Sequence, residues 1–194
     1  CWNGTFFQTS TGHFSSFYMR DFAFCTDGLI SLGYRHEVLT TLHWALEIYE
    51  RWDMLTTTIT PDRKPIHVFD YSCDTLPLLL RTLRITRAKY LANQFKDCIN
   101  KQIRYYYDNV LDKHLGLVDP KKSFSSMRDN YKRKSSMYDN CMMAMIPIEL
   151  ERLRRNGIKL VNPFRKWNFS KVLKDRFWVG THFLDDLTHD HHIA

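Results

Sequence analysis

Apolar residues recur along the chain in blocks of two kinds. In one kind they crowd together, as at Leu76, Leu78, Leu79, Leu80 and Leu83, and again through Cys141-Met-Met-Ala-Met-Ile146. In the other they return every three or four residues, as at Val38, Leu39, Leu42, Ala45, Leu46 and Tyr49. The first pattern predicts a helix buried nearly all round, the second an amphipathic helix with one face on a core. Six helices are expected on this basis, over residues 20–32, 36–52, 72–85, 88–109, 138–155 and 169–177. Gly33 and Gly157 suit the C-terminal ends of the first and fifth, and Ser72 suits the N-cap of the third. Residues 56–60 and 66–69 read as two short strands around a turn at 61–65 that carries Pro at both ends. Residues 110–134 show no clear period, and loops of that length are usually functional. The first 19 residues read as irregular, and those after 177 as extended or turn-rich.

The helices alternate, apolar then amphipathic, and the apolar ones open alike. Tyr18-Met-Arg-Asp21, Tyr71-Ser-Cys-Asp74 and Met137-Tyr-Asp-Asn140 place Asp21, Asp74 and Asn140 at matched positions, 53 and 66 residues apart. Such a repeat describes an array of α/α hairpins, either solenoid or toroid. Acids near a helix start are ordinarily caps, favoured by about 0.3–1 kcal/mol through the dipole and the free N–H groups. Recurrence in successive inner helices would instead gather them at one end of the array. Arg20 stands where the dipole disfavours a cation, which makes sense if it binds or orients something.

Composition sets the outer bounds. The 194 residues are 44% hydrophobic and 25% charged, which excludes disorder and a disulfide miniprotein and fits one domain. The longest uncharged apolar stretch, 141–148, is far short of the ~20 residues a membrane span needs, so no membrane partner is expected. The net charge of +7 is scattered, with one denser run at Lys121, Lys122, Arg128, Lys132, Arg133 and Lys134. A solvated face accounts for that run, and a nucleic-acid partner is not expected. Five widely spaced cysteines without a C-x-x-C read as reduced, mostly buried residues of a cytoplasmic protein. The sequons at Asn3 and Asn168 are read as chance. His182, His189, His191 and His192 with Asp185, Asp186 and Asp190 lack the spacing of a metal site and read as a solvated end. No phosphate-loop, dinucleotide or nucleophile-elbow motif occurs, so no cofactor or metal is expected. Trp44 and Trp52, at helical spacing, read as core.

The run Tyr18-Met-Arg-Asp21-Phe-Ala-Phe-Cys-Thr-Asp-Gly-Leu-Ile-Ser-Leu-Gly33 resembles the W/Y-x-R-D segment that opens the first hairpin of six-hairpin, (α/α)6-toroid glycosidases. That superfamily includes glucoamylases and the amylo-α-1,6-glucosidase part of glycogen-debranching enzymes. Tyr71-Ser-Cys-Asp74-Thr75-Leu-Pro-Leu is similar to the second-hairpin D-(A/S)-T-L-x-F motif. Gly116-Leu-Val118, Ser125-Ser-Met-Arg-Asp129 and Tyr138-Asp-Asn140 parallel the order G-L, T-W-M-D and E-x-N-A of debranching enzymes. Phe177-Trp178 through His182-Phe183-Leu-Asp185 resembles the piece after the third hairpin. The likeness spans residues 16–187, with Ser126 in place of the family's Trp and Arg128 interposed before Asp129.

The resemblance implies an all-α chain, about half of an (α/α)6 toroid in three hairpins, to which the small β-hairpin read above near 56–69 is added. A single partial domain over 1–194, cut at both ends, is the expectation, since the chain opens on Cys1 and closes after the third hairpin. It further implies an oligo- or polysaccharide substrate and a glycoside hydrolase activity on glucosidic bonds. Arg20 and Asp21 would hold sugar hydroxyls in subsite −1. Asp74 would be structural or touch sugar at the cavity mouth. Asp129 would be the general acid, or else an exposed loop carboxylate. Asp139 and Asn140 would contact sugar or only cap their helix. Tyr18, Phe22, Tyr71 and Trp178 would wall the site. Inversion at the anomeric carbon needs a second carboxylate about 6.5–9.5 Å from the acid. That carboxylate is expected in later hairpins outside this chain, which alone would then be inactive. The alternatives are a non-catalytic α/α scaffold or carbohydrate-binding protein and, using the basic loop, an RNA- or anion-binding helical protein.

Overall fold

The structure, a computed structural model, describes residues 1–67, 70–122, 124 and 133–187. It is mainly helical. In chain order the elements are β1 (Phe17–Tyr18), α1 (Met19–Ser31), α2 (Arg35–Trp52), β2 (Thr58–Ile59), β3 (Pro65–Ile66), α3 (Thr75–Ile85), α4 (Lys89–Gln94) and α5 (Lys96–Asn109). Then follow β4 (Leu111–Asp112), β5 (Leu117–Val118), α6 (Met137–Arg155), a 3-10 turn at Pro163–Lys166 and α7 (Phe169–Phe177).

Three helices make one row, in the order α1–α3–α6, and these interhelical contacts are the most extensive in the molecule. α3 lies in the middle, and from Thr75 to Leu80 every residue is buried. Its sequence therefore needs no polar face. α6 behaves differently from its apolar reading. Met143, Ile146, Leu150 and Leu153 are buried at helical spacing, while Ile148 is 49% exposed, because α6 is an edge of the row. α1 is the other edge and exposes Phe24 and Leu32. α2 and α5 form a second layer. They meet through the His43–Phe95 ring pair and through Gln102, whose amide donates to the Asp53 carbonyl oxygen. Tyr107 packs edge-on against Phe164 of the 3-10 turn.

Several local expectations are corrected. The helix read over 88–109 is broken at Phe95, whose ring is buried against His43 and takes the backbone out of the helical region. Helix α3 begins at Thr75, so Ser72 is not its N-cap and lies in the preceding turn. A hairpin, β4–β5, occupies the start of the stretch read as aperiodic. Asp112 shapes its turn by accepting from the His114 and Leu115 amides, and Gly116 supplies the positive φ of 70°. A Cβ at Gly116 would stand 2.9 Å from the Trp167 ring, so the glycine is also needed for space. The hairpin at 58–66 is present, but β1 adds a third strand that pairs Phe17 with Ile59 and Tyr18 with Thr58. Trp44 is buried, whereas Trp52, at the end of α2, is 47% exposed. All five cysteines are free thiols, but only Cys73 is buried. Asn3 and Asn168 spend their carboxamide oxygens on backbone amides, Asn168 as the N-cap of α7. Among the described residues, no helix is long and apolar enough to cross a membrane.

Candidate functional site

The row brings the starts of α1, α3 and α6 to one end of the molecule. Arg20, in the first turn of α1, is held there by a carboxylate from α3, which offsets its unfavourable place on the helix dipole. Its Nε donates to Asp74 Oδ2. The Tyr138 hydroxyl, from the first turn of α6, donates to the same oxygen at 3.0 Å. One carboxylate oxygen therefore ties all three row helices together. Asp74 is fully buried, and its side chain makes no capping bond to its own helix. Burial works against the Arg20 charge, but Asp74 outweighs it and the guanidinium is held more firmly protonated than usual. Burial and the nearby Asp74 charge also raise the Tyr138 hydroxyl, which remains a donor.

Asp139, the next residue of α6, forms a second buried acid beside this pair. Its amide donates to Ser136 Oγ at 3.1 Å, and Ser136 Oγ donates back to Asp139 Oδ2 at 2.8 Å. Ser136 is the N-cap of α6, so this closes the helix start in the manner of a capping box. Burial, and then the negative charge of Asp74, push the Asp139 carboxyl up to about 7; the Ser136 bond, Arg20 and Arg133 pull it down. The second oxygens of Asp74 and of Asp139 are both buried without a hydrogen-bond partner among the described residues. Two buried carboxyls thus lie near one guanidinium, each with one oxygen that no described residue partners.

The other candidates are distributed around this cluster. Asn140 is turned away from it. Its amide nitrogen donates to Ser135 O, Ser135 Oγ and Ser136 O, and its oxygen accepts from the Val118 amide at 2.9 Å. Fully buried, Asn140 braces the start of α6 through its nitrogen and hangs β5 from that helix through its oxygen. The matched positions are also not equivalent in depth: Asp21 lies inside α1, Asp74 precedes α3 and Asn140 is the fourth residue of α6. Asp21 is exposed and lines a cavity between α1 and the segment before it, whose lining does not include Arg20. The two residues expected side by side in one subsite leave α1 in different directions. Tyr18 is half-buried in β1, its ring edge-on to Phe14. Trp178 is 39% exposed on a small hairpin, paired with Phe183. That hairpin leads into a segment bound at the start of α6, where the Met137 amide donates to Asp185 O at 2.7 Å and Leu187 to Lys134 O.

Asp129 lies outside the described residues, as do Arg128, Lys132 and the histidines at 189, 191 and 192. Described residues on either side of it are anchored at this end: Phe124 bridges Tyr71 just before α3, and Ser136 caps α6. Arg133 was expected on a solvated basic face; instead it is largely buried and pairs with Asp185. Among the described residues, no group of His, Cys, Asp and Glu could hold a metal ion. The Arg20–Asp74–Tyr138 link could not be found from sequence, since its members are separated by 54 and 64 residues. The out-of-place Arg20 was its only local trace.

In class, the molecule is a mainly helical layered domain with a buried carboxylate–guanidinium cluster at the starts of one row. Comparison with protein-family models, with curated proteins and with solved structures finds no match to this chain.

Proposed function

We propose that this chain is part of a carbohydrate-active protein of the six-hairpin type, with sugar bound where the row helices begin. The observation that carries the reading is the convergence of Arg20, Asp74, Tyr138 and Asp139 from three separate helices on one end. Arg20 keeps part of its side chain exposed, so its remaining N–H groups are available to sugar hydroxyls. Asp74 and Tyr138 act as its positioning groups. On the resemblance, Asp129 protonates the leaving oxygen. The exposed Phe24, Leu32 and Ile148 on the two edge helices support a row that continues against further hairpins in a closed toroid.

Titration calorimetry with malto-oligosaccharides tests the binding half of this reading. Saturable binding that weakens at least tenfold in Arg20→Ala is expected; no binding to the folded chain overturns it. In a polypeptide that includes the remaining hairpins, Asp129→Asn should lower kcat by orders of magnitude on a natural glucan with little change in KM. An aryl glycoside with a good leaving group, which needs no protonation, should be largely spared. Wild-type turnover of the natural glucan by this variant rules out Asp129 as the acid. The second reading, a scaffold that binds sugar without turnover, is favoured by the complete burial of Asp74 and the near-complete burial of Asp139. It predicts the same binding and no hydrolysis in the longer polypeptide.

A further inference from the structure

The end of the row opposite the Arg20 cluster holds a cavity of about 670 Å³, where α3 and α6 finish. Arg84 and Ile85 line it from α3, Arg87 and Lys89 from the turn into α4, and Asn156 and Ile158 from the end of α6. The acid in its lining is Asp27 of α1.

The three row helices end in one motif. The Tyr34, Ala88 and Ile158 amides return to the carbonyl oxygens of Leu29, Leu83 and Leu153, each just after a residue of positive φ. That residue is Gly33 in α1 and Gly157 in α6, which bear the conformation without steric cost. In α3 it is Arg87, at φ 51°. A side chain is therefore kept where the backbone disfavours one. Capping does not account for its charge. The carbonyl oxygens of Thr82, Leu83 and Arg84 already accept from backbone amides, and that of Thr86 accepts from Arg35. The side chains of Arg87, Lys89 and Asn156 make no ion pair or hydrogen bond among the described residues. A Cβ at Gly157 would stand 3.2 Å from Lys89 Nζ, so the ammonium sits against the end of α6.

The charges do not cancel. Asp27 is offset by Arg81, and the buried Glu149 is shared by Arg84 and Arg152. One of those two arginines, Arg87 and Lys89 remain in excess, three positive charges in all. The ends of α3 and α6 together offset only about one of them. Guanidinium forks beside an ammonium and a free carboxamide suit a tetrahedral oxyanion of more than one charge. A cavity of this size also leaves room for an organic substituent, over the buried Ile158. We propose that this cavity binds a phosphoryl group, as free phosphate or as the ester of a small organic molecule. The site is independent of the sugar reading, since Arg20, Asp74, Tyr138 and Asp139 do not line it.

Calorimetric titration of the 194-residue chain with inorganic phosphate, glycerol 3-phosphate and glycerol, at pH 8 and constant ionic strength, tests this. The two phosphates should bind saturably and glycerol should not. A tighter ester assigns the site to organic phosphates and equal affinity assigns it to the free ion; either supports the proposal. Lys89→Gln, at an exposed position, should leave the circular dichroism spectrum unchanged and weaken phosphate about tenfold. Arg87→Gly should weaken phosphate similarly while raising the urea midpoint, because glycine relieves the positive φ. Lys174→Gln removes the same charge from α7, outside the cavity, and should bind like the wild type. Absence of saturable binding by both phosphates overturns the proposal. So does wild-type affinity in Lys89→Gln and Arg87→Gly, or an equal loss in Lys174→Gln, which would make the effect one of net charge.

Discussion

Replacing Asp139 by Asn should abolish a pH dependence of stability that the wild-type chain carries. The native carboxyl is pushed up to about 7, first by burial and then by the charge of Asp74. In the unfolded chain the same group ionises near 3.9. Between these values the native state holds a proton that the unfolded state has released. Stability must then fall as pH rises through that window, and level off above the native value. The separation is about three pH units, which sets a ceiling of about 4 kcal/mol on the loss. Asparagine has the same shape, can still accept from Ser136, and does not titrate. Urea unfolding of both proteins should be followed from pH 4.5 to 8, with the slope checked for constancy across pH. Taking the difference between the two proteins removes the contribution of the nine histidines. The wild type should lose stability relative to Asp139→Asn as pH rises, by an amount approaching that ceiling at pH 8. A difference that stays flat, or that favours the wild type more at high pH, refutes a buried proton on Asp139.

Arg20→Met should destabilise the chain by about 3–5 kcal/mol, because it leaves the buried Asp74 carboxylate without its cation. Adding Asp74→Asn to that variant should recover part of the loss in the same urea assay, and a further loss would contradict the pairing. Asn140→Ala should cost about 2–3 kcal/mol, since it strands the buried Val118 amide and the Ser135 carbonyl, while Ser136 O keeps its bond from the residue-140 backbone amide. Hydrogen exchange at the Val118 amide should accelerate in that variant well beyond exchange in α2, and uniform acceleration would count against a local tie.

The helices were readable because burial writes a period into the sequence. α3, with neighbours on both sides, shows leucine at five of its eleven positions, three of them consecutive, and α2, with one buried face, shows the three-to-four spacing. The read boundaries fall within about three residues of the observed ones for the same reason. The break at Phe95 was not readable, because no Gly or Pro marks it and its ring packs on His43 of α2, 52 residues earlier in the chain. β1 is two residues long, too short for alternation to show. At the site, the residue types were visible but their partners were not. Asp74 looked like a cap and is a counter-ion. Asn140 looked like a match for the two aspartates and is a brace for β5. Which neighbour a polar side chain chooses depends on how the rows stack, and that lies in the contacts between helices.

The Val118–Asn140 bond has a consequence for how this molecule can vary. It pins the chain at 118 to the first turn of α6, and Ser136 fixes the return of the chain at the same turn. Val118 and Ser136, seventeen residues of chain between them, are thus held at nearly one place. The entropy of closing such a detour grows only with the logarithm of its length, about 0.6 kcal/mol for each doubling. Phe124, buried against Tyr71, and Ser135, which accepts from Asn140, belong to the frame, so a change of length confined between them costs the row of helices only this closure term, and chemistry carried there is free to diversify while the cluster stays constant.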